Sequence, residues 1–77
     1  MVEKSMQNKK LVVKANGIKT LKDASIIRNT LKKVDGVKSV KVSLKNKKVT
    51  LIHNKVINVL EIRKTINDLG YKYIGVE

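Results

Sequence analysis

Few side chains in this sequence are suited to chemistry. Two of them, Thr20 and Asp23, stand three residues apart in the segment Gly17-Ile18-Lys19-Thr20-Leu21-Lys22-Asp23. A hydroxyl and a carboxylate at that spacing can close a capping box at a helix start. Thr20 Oγ accepts from an early helix N–H, and Asp23 stands in for the usual Glu or Gln. Its charge also meets the positive end of the helix dipole. The alternative is a pair of metal ligands. Soft metals choose thiolate or thioether donors, whereas this pair offers a neutral hydroxyl and one hard carboxylate. Lys19 and Lys22 add repelling charge on either side. Capping accounts for both residues, and no ligand role is expected of them.

The rest of the chain adds little reactivity. There is no cysteine and no tryptophan, and the acids are few and scattered. His53 is the lone histidine, with no evident nucleophile beside it, and is read as structural. Met1 and Met6 have no partner that the sequence identifies. Glycine-rich phosphate motifs are absent. No catalytic residue, no metal site and no cofactor is expected, and the chain is not read as an enzyme.

Seventy-seven residues make one domain, with residues 1–8 expected as a flexible tail and 9–77 as the folded unit. A chain this short buries only about 60% of its unfolded surface, so each apolar position counts. No run approaches the roughly 20 apolar residues of a membrane span, and no signal-peptide pattern opens the chain. A cytoplasmic domain is expected. The formal charge of +12 favours an acidic or polyanionic partner. A composition rich in Lys, Ile and Asn also gives such a charge with no function attached.

The elements that must position Thr20 and Asp23 follow from periodicity. Leu11, Val13 and Ala15 alternate with polar neighbours as a one-faced strand. Ile18 should plug the core beneath the loop. Ala24, Ile27, Leu31 and Val34 form a helical stripe ending at Asp35-Gly36. Val40, Val42 and Leu44 alternate again, and Lys45-Asn46-Lys47 turns the chain, with Asn46 able to take φ > 0. Val49 and Leu51 continue a strand that ends at His53. Asn58-Val-Leu-Glu61 opens a second helix like a capping box, striped by Val59, Ile62, Ile66 and Leu69 and closed by Gly70. Tyr71 to Val76 form the last strand. The order βαββαβ is an α+β, ferredoxin-like sandwich: a four-stranded antiparallel sheet with both helices on one face.

The same register resembles the heavy-metal-associated domain family of copper chaperones and heavy-metal P-type ATPase N-terminal domains. That family's loop reads Gly-Met-x-Cys-x-x-Cys, and here it reads Gly-Ile-x-Thr-x-x-Asp. Ile27, Leu31 and Gly36-Val37 follow at the family's distances, and Leu69-Gly70-Tyr71 matches its end. The likeness covers about residues 10 to 76. It implies a metal-transport or copper-trafficking setting, with Thr20 and Asp23 as degenerate ligand positions. It also implies that the loop faces a partner through Lys19, Leu21, Lys22 and Ile26. The expected function is a non-catalytic docking or regulatory module whose partner has an acidic surface, with a metal-transporting ATPase or related domain as candidate. The second reading is a basic ferredoxin-like domain that binds nucleic acid or another polyanion non-specifically. Its sheet would present Lys14, Ser39, Lys41, Ser43, Thr50, Ile52 and Lys72 outward, without central-strand aromatics for base stacking.

Overall fold

A computed structural model describes residues 8–77. The expected tail, with Met1 and Met6, lies outside the described residues apart from Asn8. Six elements follow in order: β1 (Lys9–Asn16), α1 (Leu21–Leu31), β2 (Val37–Ser43), β3 (Lys48–His53), α2 (Val59–Asp68) and β4 (Lys72–Val76). The sheet order is β2-β3-β1-β4, with every neighbour antiparallel. β1 and β3 therefore lie inside the sheet, and α1 and α2 carry the crossovers to its two edges. This is the ferredoxin-like arrangement expected from the periodicity.

The core forms between one face of the sheet and the helices. Val13, Ala15, Val40, Val49 and Leu51 from the strands meet Ile27, Leu31, Ile62 and Ile66 from the helices, all buried. Ile18 joins them with no exposed surface, so the loop after β1 is pinned from below by an isoleucine. Removing that side chain would empty a fully enclosed volume, and such truncations cost about 2–5 kcal/mol.

Local details depart from the sequence expectations. α1 ends at Leu31 rather than Val34. Lys33 and Val34 donate instead to Thr30 and Leu31, which tightens the chain into turns. Gly36 then sits third in the turn closed by Val37 N–H to the Val34 carbonyl, with φ +93°. Glycine is used there as a turn residue, not as the helix cap. In the β2–β3 connection the left-handed residue is Lys47 (φ 55°), not Asn46. The Asn46 N–H donates to Ser43 Oγ, a side-chain turn that fixes Asn46 in ordinary backbone and passes the strained position on.

Helix α2 is capped by Asn58, whose Oδ1 accepts from Leu60 N at 2.9 Å, without the reciprocal bond to Glu61 that a full box requires. Its other end is a Schellman motif. Gly70 N–H donates to Asn67, Tyr71 N–H donates to Ile66, and Gly70 takes φ +99°. β4 accordingly starts at Lys72, because Tyr71 is used by the cap. That turn sends the Tyr71 side chain towards the loop after β1.

Candidate functional site

The loop between β1 and α1 is organised by Asp23. Thr20 is the N-cap residue, in extended backbone, and its Oγ1 accepts from Asp23 N at 3.1 Å. Asp23 Oδ2 accepts in return from the Thr20 N–H at 3.2 Å and from the Lys19 N–H at 3.0 Å. The capping box read from Thr20-Leu-Lys-Asp23 is therefore present in full. The third donor to this carboxylate comes from far along the chain. Tyr71 Oη, 48 residues away along the chain, donates to Asp23 Oδ1 at 2.6 Å.

Tyr71 arrives over Gly17. A Cβ built on Gly17 would lie 3.4 Å from the tyrosine ring, and Gly17 itself has φ +98°. A side chain at that position would be strained by the backbone and would pack directly against the ring. The only signal for this contact in the sequence is the Leu69-Gly70-Tyr71 ending, and it becomes legible once the Schellman turn is known.

The electrostatics follow from these bonds. Tyr71's hydroxyl, then the backbone amides, hold the Asp23 carboxyl well below its usual range, at about 2. The same bond holds the Tyr71 proton, pushing the phenol up to about 12. Asp23 is thus ionised and Tyr71 protonated throughout the neutral range. The pair forms a latch between the start of α1 and the turn that follows α2.

These two ligand positions do not fit a soft metal. Thr20 Oγ1 and both Asp23 oxygens are already engaged in holding the loop, and neither residue supplies a thiolate. Among the described residues, no three His, Cys, Asp or Glu side chains are grouped to hold an ion. His53 Nδ1 lies 2.7 Å from the Lys55 carbonyl, within the turn that leaves β3, which is a structural role.

Around the latch, Lys19, Leu21, Lys22 and Ile26 are all exposed, Leu21 at 79% and Ile26 at 37%. Lys22 and Ile26, four residues apart, share one face of α1. Leu21 projects from the flank, about 140° around the helix from Ile26 at 100° per residue. The four residues thus run from the loop through the first half of α1 and are spread over two sides of the helix.

A model of the heavy-metal-associated domain family matches residues 22–72, from the first turn of α1 to the start of β4. The chain belongs to that family, and it is a non-catalytic member without the cysteines of the family's metal loop. Among solved structures it is similar to the CsoZ metallochaperone, with 25% identity and a TM-score of 0.78 over 88% of this chain and 99% of that one. The CopZ metallochaperone is 24% identical with a TM-score of 0.80, over 86% and 100%. Oxidized MerP from Ralstonia metallidurans CH34 is 18% identical with a TM-score of 0.78, over 92% and 99%. The last two likenesses speak to the fold. No curated protein matches the chain. No helix among the described residues is long and apolar enough to cross a membrane.

Proposed function

We propose that residues 9–77 form a metal-independent docking module of a metal-transport system, working in the cytoplasm. The observation that carries this reading is the Asp23 latch. The loop that holds metal in the family is here held in shape by the protein's own carboxylate, through two backbone amides and the Tyr71 hydroxyl. A loop fastened in this way presents Lys19, Leu21, Lys22 and Ile26 in a fixed arrangement without cargo. Family membership and the CsoZ likeness support the metal-transport setting. The +12 charge supports a partner with an acidic surface, such as a metal-transporting ATPase or a related domain. In such pairs, charge complementarity sets encounter rate and apolar anchors set the lifetime.

The test is an NMR titration of the labelled protein with an acidic heavy-metal-associated domain of a transporting ATPase. The amides of residues 19–26 should shift, with or without metal present. Leu21→Ala should weaken binding by about tenfold even in high salt, since partial burial of a leucine is worth on the order of 1.4 kcal/mol and is not screened. Unshifted loop amides, or an unchanged affinity for Leu21→Ala, would overturn the reading.

A further inference from the structure

The face of the sheet opposite the helices is open, and the strand registers define what it displays. Residues paired across antiparallel strands share a face. One row runs Lys14, Lys48, Ser43; the next runs Val12, Thr50, Lys41; the third runs Lys10, Ile52, Ser39. Every polar side chain in these rows is a lysine or a hydroxyl. Lys10, Ser39, Lys41, Thr50 and Ile52 line a shallow open groove of about 550 Å³ across β1, β3 and β2.

We propose that this face is a binding site for single-stranded nucleic acid, gripped through its phosphate backbone without base recognition. The site is separate from the docking loop and stands whether or not that loop has a partner.

Three observations carry the proposal. The first is spacing. Lys10 and Lys14 are four residues apart on one strand, about 14 Å, and Lys41 lies two strands away from β1, about 10 Å. Backbone spacings of this size, longer than the Debye length of about 8 Å at physiological salt, spread the positive charge along the face and suit an extended anion better than one small one.

The second is that the face already holds an anion. The Glu77 carboxylate reaches from the end of β4 to pair with Lys48. It is held in its charged form by that bond and by the nearby positive charges of Lys14 and Lys10. The Glu77 N–H donates to the Val12 carbonyl, which fixes the residue beside the central strand. An internal carboxylate thus occupies part of the surface that a phosphate would use.

The third concerns which polyanion fits. An acidic peptide gains its main-chain hydrogen bonds at a sheet edge, and on this face the strand backbone is already paired. What remains is side-chain donors, lysine ammonium groups with hydroxyls between them, which suits a ligand whose charges lie on its own backbone. Ser and Thr hydroxyls and Lys are ordinary phosphate contacts. Base stacking has no platform here, because the Tyr71 hydroxyl is bound to Asp23 and Tyr73 packs against the core. Binding should therefore be indifferent to sequence and steeply sensitive to salt.

The experiment measures fluorescence anisotropy with a labelled oligo(dT) of about 12 nucleotides, within the range that one small domain covers, across a salt series. With three or four phosphate contacts at about −0.7 each, log K against log salt should have a slope of about −2 to −3. Lys10→Gln with Lys41→Gln should make the slope shallower by about 1.4, and Lys19→Gln with Lys22→Gln, which removes the same net charge, should leave it unchanged. Glu77→Gln should bind more tightly than the natural chain. Chemical-shift mapping on the unmodified protein should move the amides of Lys10, Ser39, Lys41 and Thr50, and does not depend on any variant folding. Equal losses in the two double variants would mean that net charge alone acts, and would overturn the site. Polyglutamate of matched charge competing as well as the oligonucleotide would overturn the choice of ligand. Undetectable binding at low salt would overturn both.

Discussion

The capping box gives a sharp energetic test, because Thr20 is exposed and its removal leaves no cavity to confuse the result. Thr20→Ala deletes one bond, the 3.1 Å contact from Asp23 N to Thr20 Oγ1, and leaves the first helical N–H groups without that acceptor. Replacing a threonine N-cap by alanine costs about 1 kcal/mol. For a domain of this size that lowers the thermal midpoint by about 4–8 °C. Asp23 keeps its bonds from the amides of Lys19 and Thr20 and from Tyr71, so the loss should not grow into collapse of the loop. Thr20→Ser restores the acceptor and should lie close to the natural protein, and Thr20→Gly should cost only a few tenths of a kcal/mol. Asp23→Ala removes the acceptor of three donors at once and should lower the midpoint further than Thr20→Ala does. Thermal and urea unfolding followed by circular dichroism measure the series, with an unchanged urea slope required for the differences to be read as stability. Alanine and serine variants with the same midpoint as the natural protein would refute the cap.

Three further outcomes are expected. Asp23, lowered to about 2, contributes stability that is complete above its ordinary value of 3.8 and is lost as pH falls towards 2. Tyr71, raised to about 12, contributes stability that is complete below its ordinary value of 10.0 and is lost as pH rises through 12. The difference in unfolding midpoint between the natural protein and Tyr71→Phe should thus be flat from about pH 5 to 9 and shrink at both extremes; a constant difference across the whole range would remove the latch. Gly36→Ala should cost at least about 1–2 kcal/mol by denaturant unfolding, since φ there is +93° and the new Cβ would lie 2.9 Å from Lys55 Cβ. Thr20→Cys with Asp23→Cys should gain Cu(I) from a competing chelator while the natural chain takes none, and one equivalent taken by the natural chain would contradict the donor-set argument.

The sequence alone determined whatever depends on local pattern. Alternation at Leu11, Val13 and Ala15 and the helical stripes through Ile27 and Ile62 specified the strands, the helices and their buried faces. Together with the connection order they specified the βαββαβ fold. Thr20 and Asp23 were legible as a cap because both partners lie within one helical turn. Absence of cysteine by itself removes the family's thiolate chemistry. Turn geometry was less legible. Asn46 tolerates positive φ, but the Ser43 bond to its N–H gives that conformation to Lys47, and α1 stops at Leu31 because the next residues close turns towards Gly36. Tertiary structure alone decided what meets across the fold. Tyr71 reaches Asp23 because a Schellman turn at Gly70 aims its ring over Gly17. Glu77 reaches Lys48 because β4 pairs beside β1. Each of these contacts spans tens of residues, and propensity and periodicity act over one or two turns of chain. The lysines of β1 and β2 become one surface only when the central strands set them in register, so this basic face follows from strand pairing.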